Sequence, residues 1–395
     1  MPSIVSSESC ITMNTQRENF YNRSEYEERI DRVHAAMDKA GIDVLITTHP
    51  SHVCYLTGHF TQAVNDLMVL VLPLGSRPIL QLPFFERPRH TASGIGIEVV
   101  DNWAIGQNPV PHVVGDIRKR KLDRGVIALD VAGFYTPYSF THQLIENLKA
   151  RTVTTLIDQV RVIKSPSEHA YLREAAVITD IGTQAALDAF SEGAVDYDVA
   201  ATAHAAMIKA GCETLTCDPY ICIGWRTAAP HSNRGGHVAA VEDPLFVELG
   251  ATRARYTAPL MRSAVAGRTT PELTELAAVS NEVIEAVCSS ARGGITAAEV
   301  AARGDAAIKS LLPKILWHHN YGYPVGLGFA PAWIDCPHFL INADNHRPLA
   351  TGMVFHLPTQ LRIDGRHGAG FSETIIITET GCERLSQLPR ELIVR

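Results

Sequence analysis

One glutamate stands in the middle of an apolar stretch, where an ionised side chain is costly to bury. Glu248 lies between Val247 and Leu249 in the segment LFVELGA, residues 245–251. This composition predicts a buried strand, and a buried carboxylate without a partner is strongly destabilising. Glu248 is therefore a candidate for chemistry, as a nucleophile or a base, rather than a strand residue that faces solvent.

A second candidate is the histidine that follows Pro230. An imidazole titrates near neutral pH, so His231 could donate a proton to a departing group. The same position also suits a loop histidine whose ring is satisfied by hydrogen bonds. His318 and His319 are adjacent in the sequence, so their side chains diverge on a helix or a strand, and they predict no metal site.

These groups need ordered elements to position them, and the first part of the chain predicts an α/β domain. Residues 1–23 are rich in Ser, Thr and Asn and predict a flexible tail. Ser24 and Glu27 have the spacing of a helix start, and Gly41 is placed to end that helix. Short β-branched runs follow at residues 43–48, 67–72, 78–82 and 125–130, which places this domain over residues 24–160.

The pattern changes near residue 161, where an extended segment meets a Ser-Pro-x-Glu helix start at residues 165–168. Ala-rich helical patterns occupy residues 168–191, 198–210, 271–290 and 297–312. Strand-like runs occupy residues 245–251, 255–263, 353–361 and 373–378. We expect a second, α+β domain over residues 161–395.

Composition excludes several classes of partner. The 395 residues are 46% hydrophobic and 19% charged, enough for two buried cores. A net charge of -7 without a large basic surface favours neither nucleic acid nor an anionic membrane. The sequence shows no apolar run of membrane-spanning length. Eight scattered cysteines suit reduced thiols in the cytoplasm.

Six segments occur in the order and approximate spacing of a known superfamily. They are IKSPSE (163–168), APH (229–231), the strand pair at 246–262, GYPVGL (322–327), GMVF (352–355) and Glu373. With HPSHVCYLTG at residues 49–58, the chain resembles the creatinase, prolidase and methionine aminopeptidase superfamily over nearly its whole length. The resemblance implies an α/β N-terminal domain followed by an α+β pita-bread catalytic domain.

The departures from the superfamily pattern are as informative as the matches. Metal-dependent members bind two ions through two aspartates, a histidine and two glutamates. The matching positions here are read as Glu248, Pro259, Tyr323, Pro358 and Glu373. Proline offers no side-chain ligand, and neutral tyrosine is a poor replacement for histidine. We therefore expect no metal and no other cofactor.

The resemblance implies that Glu248 and Glu373 face one cavity. Two carboxylates about 4 Å apart repel by roughly 4 kcal/mol at an effective dielectric of about 20, unless a cation or a proton intervenes. A cationic amidine would supply the positive charge and carries its own electrophilic activation. The chain is most similar to the ectoine hydrolase family, which opens a cyclic amidine to an N-acetyl-diaminobutyrate. The similarity includes GMVFH (352–356) and APAW (330–333).

The resemblance assigns roles to further residues. Glu248 attacks the amidine carbon or activates water, His231 supplies a proton, and Glu373 holds the cationic ring nitrogen. Substrate-binding residues are expected among Tyr323, His356, Arg226, Arg262 and Trp333, with Arg226 or Arg262 on a substrate carboxylate. In creatinase-like homodimers the N-terminal domain helps to close the partner's site, which implicates Tyr55.

Two alternatives remain open from the sequence. One is a creatinase-like amidinohydrolase or another small-molecule hydrolase of the same fold, although Met261 and Pro358 stand where creatinase has glutamates. The other is a pseudo-peptidase that serves as a binding module without activity. The glutamates and the lack of an acidic tail disfavour that second alternative.

Overall fold

The computed structural model describes residues 20–133 and 135–395. Positions 1–19 of the predicted tail lie outside the described residues. Helix α1 begins at Arg23, with Asn22 as its N-cap, so Ser24 lies inside the helix instead of capping it. The chain divides into two compact units, one ending at Val160 and the other spanning Arg161–Arg395.

The first unit is a mixed sheet flanked by helices. Its elements are α1 (Arg23–Lys39), β1 (Val44–Thr47), α2 (Pro50–Thr57), β2 (Val69–Pro73), β3 (Ile79–Pro83), α3 (Arg87–Ser93), β4 (Glu98–Trp103), α4 (Val110–Lys119), β5 (Ile127–Asp130), α5 (Tyr138–Leu148), β6 (Arg151–Val153) and α6 (Leu156–Arg161). The strand order is β4-β3-β2-β1-β5-β6, with β1 parallel to β5 and antiparallel to β2. Separate apolar clusters cover the two faces of the sheet, as expected for an α/β layer arrangement.

The second unit combines four long helices with two sheets. Its helices are α7 (Pro166–Asp188), α8 (Asp196–Lys209), α9 (Pro271–Ser290) and α10 (Ala297–Ile308). Its strands are β7 (Tyr220–Ile223), β8 (Pro244–Leu249), β9 (Thr252–Arg253), β10 (Tyr256–Thr257), β11 (Leu260–Val265), β12 (Tyr323–Phe329), β13 (Ala332–Ile334), β14 (Val354–Ile363), β15 (His367–Ile377), β16 (Cys382–Arg384) and β17 (Ile393–Val394). One sheet has the order β17-β11-β8-β7, and the other β16-β15-β14-β12-β10-β9, with β13 paired to β12.

Local capping explains where these helices begin. Ser165 accepts a hydrogen bond from Glu168 N while the Glu168 carboxylate accepts one from Ser165 N, which is a complete capping box before Pro166. Thr296 and Glu299 make the same arrangement at α10. Thr270 caps α9 at Pro271. The predicted helix starts at Pro271 and residue 297 are therefore confirmed.

Strand alternation gives each sheet a helix-facing side and an inner face. Leu245, Val247 and Leu249 of β8 pack in the cluster that contains α7 and α8 residues. Leu357 of β14 and Phe371 of β15 pack in the cluster that contains α9 and α10 residues. Intervening residues on each strand point to the inner face, because side chains alternate along a strand.

The two sheets adjoin where β11 runs beside β15. The Met261 N–H donates to Ser372 Oγ at 2.6 Å, and the Thr374 hydroxyl donates to the Pro259 carbonyl at 2.8 Å. The inner faces of β8, β11, β14 and β15 are thereby brought together. Among the described residues, no helix combines the length and the apolar character needed to cross a membrane.

Candidate active site on the inner face

Glu248 lies on the inner face of β8. Phe246 and Glu248 alternate with the helix-facing core residues, and Met261 of β11 and Tyr220 of β7 lie directly opposite Glu248 in register. The Glu248 side chain is 7% exposed, and its carboxyl accepts no hydrogen bond from the described residues. The predicted buried strand is therefore present, and its carboxyl group has no ion-pair or hydrogen-bond partner among the described residues.

Burial controls the protonation of this carboxyl group. Desolvation raises the pKa of Glu248 to about 7, and the positive charge of Arg362 acts in the opposite direction. Near neutral pH the group therefore exchanges between its protonated and ionised forms. A carboxylate with such a pKa is a much stronger base than an exposed glutamate, and this property is typical of catalytic acids and bases.

Two tyrosines lie within electrostatic reach of Glu248. The pKa of Tyr220 is raised mainly by burial and also by Cys217 and Glu248. The Cys217 thiol contacts the Tyr220 hydroxyl at 3.3 Å. Burial and then the charge of Glu248 raise the pKa of Tyr323. Both phenols therefore keep their protons and can donate hydrogen bonds at neutral pH.

A hydrogen-bonded chain fixes Tyr323. Trp333 Nε1 donates to the Tyr323 hydroxyl oxygen at 3.0 Å, and the same oxygen lies 2.7 Å from His356 Nδ1. His356 Nε2 lies 2.7 Å from Ser372 Oγ, which also accepts from the Met261 N–H. Burial lowers the pKa of His356 to about 3, so this imidazole is neutral and carries one ring proton.

Counting protons along this chain decides what Tyr323 can do. With its proton on Nδ1, His356 donates to Tyr323 and accepts from the Ser372 hydroxyl, so the Tyr323 proton is free for another acceptor. With its proton on Nε2, His356 donates to Ser372, whose own hydroxyl proton then lacks an acceptor among these groups. The first tautomer is favoured because it pairs the fully buried Ser372 hydroxyl and leaves unpaired only the hydroxyl of Tyr323, which is half-buried and can donate to an outside acceptor. His356 is therefore a positioning residue, and Tyr323 is the donor that remains.

His231 and Trp333 lie at the two sides of Tyr220. The His231 ring is 6.3 Å from the Tyr220 ring, and the Trp333 ring meets Tyr220 edge-on at 6.4 Å. His231 is exposed and adopts φ 57, a left-handed conformation that histidine enters more readily than most residues. The structure thus places His231 at the exposed rim of this group.

Glu373 does not share the inner face with Glu248. It pairs in register with Leu357, which packs against the helices, and its Oε1 accepts from Arg262 Nη2 at 3.1 Å and Arg390 Nη1 at 3.0 Å. Neither carboxylate contributes to the pKa of the other. The expectation that Glu248 and Glu373 face one cavity is therefore corrected. Glu373 is an ion-pair partner on the helix-facing side, and Ser372 lies on the inner face.

Arg262 is also committed elsewhere. Its guanidinium is 1% exposed on the helix-facing side of β11. Besides Glu373, it donates to the backbone carbonyls of Met261, Ser372, Leu388 and Pro389. With its donors used in this way, Arg262 cannot bind a substrate carboxylate, and that expectation is corrected.

Arg226 remains a candidate contact. It lies in a 3-10 helix, Gly224–Ala228, and its guanidinium is 4.9 Å from the Trp225 ring centroid. Among the described residues it has no carboxylate partner, and it is half-buried. Gly235 gives it room, since a Cβ there would lie 2.4 Å from its Nη2.

Tyr55 is buried within the N-terminal unit. Its side chain is 0% exposed, the Arg29 guanidinium lies 4.5 Å from its ring centroid, and Arg32 Nη2 donates to its hydroxyl at 2.9 Å. A side chain enclosed in one domain core cannot reach a substrate in a partner subunit. The predicted substrate contact by Tyr55 is therefore wrong.

Sequence reasoning missed four polar groups that belong to this face or its edge: Tyr220, Gln360, Arg362 and Ser372. A signal for two of them was available, because Gln360 and Arg362 follow His356 at intervals of two along β14. Ser372 was missed because the inner-face position was assigned to the adjacent Glu373. A shift of one residue along a strand moves a side chain to the other face.

The donor set does not fit a dinuclear metal centre. Of the five positions at which the superfamily holds ligands, two are proline, Tyr323 keeps its proton, and Glu373 lies on the helix side. Of these five positions, only Glu248 places a carboxylate on the inner face. Across the described ranges, no group of three or more His, Cys, Asp or Glu residues is arranged to hold a metal ion.

Comparison with known proteins agrees with this architecture. Residues 170–379 match the model of Metallopeptidase family M24, and residues 29–163 match the Creatinase/Prolidase N-terminal domain. The X-Pro aminopeptidase structure from Thermotoga maritima superposes with a TM-score of 0.80 at 20% identity, covering 93% of this chain and 99% of that one. The predicted fold, an α/β domain followed by a pita-bread domain, is confirmed.

Two curated relatives align with nearly the whole length of this chain. An uncharacterized hydrolase/peptidase, y4tM, from Sinorhizobium fredii is 26% identical and aligns with 95% of this chain and 98% of its own. Ectoine hydrolase from Halomonas elongata is 25% identical over the same shares of the two chains.

The position of Glu373 makes a prediction about stability. Replacing Glu373 with alanine leaves the buried Arg262 without its carboxylate, so the free energy of unfolding should fall by about 3 kcal/mol. Urea unfolding followed by circular dichroism measures this. Glu379→Ala, in the exposed turn after β15, is the matched control and should stay within about 0.5 kcal/mol of the parent protein. Unchanged stability in Glu373→Ala would contradict the structural role.

Proposed function

The chain belongs to metallopeptidase family M24, and from this premise we propose that it is a hydrolase that opens a small cationic cyclic amidine without a metal ion. The substrate class proposed is that of ectoine, which yields an N-acetyl-diaminobutyrate. One observation carries the proposal: of the five positions at which metal-dependent relatives are expected to hold ligands, only Glu248 places a carboxyl group on the inner face, and that group accepts no hydrogen bond from the described residues.

The electrostatics of this face favour a cationic substrate. A buried carboxylate that accepts no hydrogen bond gains most from a ligand that brings both a positive charge and N–H donors. An amidinium group brings both. It is also electrophilic without a Lewis acid, whereas hydrolysis of a neutral peptide bond usually needs stronger stabilisation of the oxyanion.

Glu248 acts as the general base in the proposed reaction. With a pKa of about 7, its ionised form can take a proton from water as the water oxygen adds to the amidine carbon. The resulting tetrahedral intermediate collapses when one ring C–N bond breaks. The departing nitrogen gains a proton, and the products are an amide and a free amine on one open chain.

Two further residues support the intermediate. Tyr323, held by Trp333 and His356, presents a hydroxyl donor toward the developing negative charge, because its own proton is not used within the hydrogen-bonded chain. His231, exposed beside Tyr220, supplies the proton to the departing nitrogen. The role first expected of Glu373, holding the ring nitrogen, passes to the Glu248 carboxylate.

The other candidate functions have less support. A creatinase-like enzyme would need glutamates at Met261 and Pro358, and the Met261 side chain instead packs with Cys222 and Phe246. An X-Pro peptidase would need the metal ligands that the inner face does not offer. Homodimer formation and a cytoplasmic location stay predictions from the sequence.

Metal dependence distinguishes these functions directly. Protein stripped with a chelator, with residual metal quantified, is incubated with ectoine, hydroxyectoine, creatine and an Xaa-Pro dipeptide. We expect ring opening of ectoine, followed by NMR, at a rate that added Mn²⁺, Co²⁺ or Zn²⁺ leaves unchanged. Activity that appears only after metal addition, or cleavage of the dipeptide instead of ectoine, would contradict the proposal.

The pKa of Glu248 sets the expected pH dependence. Because the base must be ionised, kcat/KM for ectoine should fall as pH drops below about 7, although an ordinary glutamate would stay active to about pH 4.5. Glu248→Gln should lower kcat at least about 100-fold, and Glu379→Gln should not. An acid limb near pH 4.5, or normal turnover by Glu248→Gln, would exclude Glu248 as the base.

A further inference from the structure

The inner face of β14 holds a buried amide without a hydrogen-bond partner among the described residues. His356, Pro358, Gln360 and Arg362 alternate with Leu357 and Leu361, which pack in the helix-facing core. Gln360 is 2% exposed, and neither its Nε2 nor its Oε1 is paired with a described residue. Buried amides are almost always hydrogen-bonded in folded proteins, so this amide offers its N–H donors and its oxygen to a bound group.

Arg362 is the next residue on this face. Its Nη1 donates to the Gln360 carbonyl at 3.1 Å, its Nε is buried without a partner, and no carboxylate among the described residues lies within ion-pair distance. Desolvation lowers the pKa of Arg362, and the charge of Glu248 opposes this change. The guanidinium therefore keeps its charge, with donors left over for an anion.

The surroundings of Arg362 join it to the candidate site. It lies 5.8 Å from the ring centroid of Phe246, which shares the inner face of β8 with Glu248. Burial, and secondly the charge of Arg362, lower the pKa of His318 to about 4. His318 is therefore neutral near pH 7. Arg362 is thus the charged group on this face whose sign is opposite to that of Glu248.

We infer that Arg362 and Gln360 form the binding subsite for a substrate carboxylate, so that the substrate is a zwitterionic cyclic amidine. This inference rests on the proposed function and specifies the substrate class further. The amidinium pairs with Glu248, and the carboxylate accepts from the Arg362 guanidinium and from Gln360 Nε2. Gln360 Oε1 is then available to accept a substrate N–H.

The other arginines fit this role less well. Arg262 has its donors occupied on the helix-facing side. Arg226 has no carboxylate partner among the described residues, but its guanidinium lies 4.9 Å from the ring centroid of Trp225, which is exposed. Arg362 and Gln360 instead supply a charge and a buried amide from a single strand.

The test measures binding separately from turnover. In a Glu248→Gln background, calorimetry gives Kd for ectoine and for 2-methyl-1,4,5,6-tetrahydropyrimidine, the same cyclic amidine without the carboxylate. Adding Arg362→Gln should weaken ectoine binding about 30- to 100-fold and change the carboxylate-free ligand less than about 3-fold. Gln360→Met should produce a smaller loss with the same selectivity.

Controls separate a binding role from a folding role. Arg366→Gln, in the exposed turn that follows β14, removes an equal charge and should leave both Kd values unchanged. Arg362→Lys should recover part of the ectoine affinity, and the melting temperatures of all variants are compared. A selective loss of ectoine binding supports the subsite even if the parent protein fails to hydrolyse ectoine, a result that would remove only the proposed reaction.

Three results would overturn the inference. The first is equal weakening of both ligands by Arg362→Gln. The second is no effect of Arg362→Gln on ectoine, or the selective loss arising in Arg226→Gln instead. The third is no measurable binding of ectoine in the Glu248→Gln background.

Discussion

The cost of burying one carboxyl group organises this catalytic domain. Glu248 stands on β8 among apolar neighbours, accepts no hydrogen bond from the described residues, and has its pKa raised to about 7. Burial, reinforced by the charge of Glu248, raises the pKa values of Tyr220 and Tyr323, and the same charge opposes the desolvation that lowers the pKa of Arg362. A ligand that donates hydrogen bonds or brings a positive charge to Glu248 offsets the desolvation cost of its ionised form.

The charged residues of the catalytic domain fall into two sets, one on the helix-facing side of the sheets and one on the inner face. On the helix-facing side, Arg262 and Arg390 share Glu373, and Arg262 also binds carbonyls of the C-terminal segment, so these charges hold β11, β15 and that segment together. On the inner face, Glu248 and Arg362 lie within electrostatic reach without forming an ion pair. The charges of the first set form ion pairs with one another, whereas Glu248 and Arg362 have no ion-pair partner among the described residues.

The sequence predicted the fold well because its signals are local. Helix α9 begins at Pro271 and ends at Ser290 as expected, since Thr270 and Pro271 fix its start. Glu248 was predicted correctly as a buried strand residue, because its flanking residues are apolar. Glu373 was misplaced because a one-residue offset reverses the face of a strand, and pattern alone does not fix that offset.

Other parts of the site depend on tertiary contacts that local patterns do not report. Tyr55 is enclosed by Arg29 and Arg32 of a preceding helix, a contact that no motif indicates. Ser372 matters only because β11 runs beside β15 and brings the Met261 N–H to it. Arg362 gains significance from having no carboxylate partner, and this can be recognised only once the described neighbours are in place.

The metal-free mechanism is tested most directly by a crystal structure of the Glu248→Gln variant with ectoine, including anomalous data collected at the Mn, Co and Zn absorption edges. We expect the amidine carbon beside residue 248, the carboxylate on Arg362, the Tyr323 hydroxyl facing the reacting carbon, and no anomalous peak between them. A metal ion bridging residue 248 and the ligand, or ectoine bound away from the inner face, would contradict it.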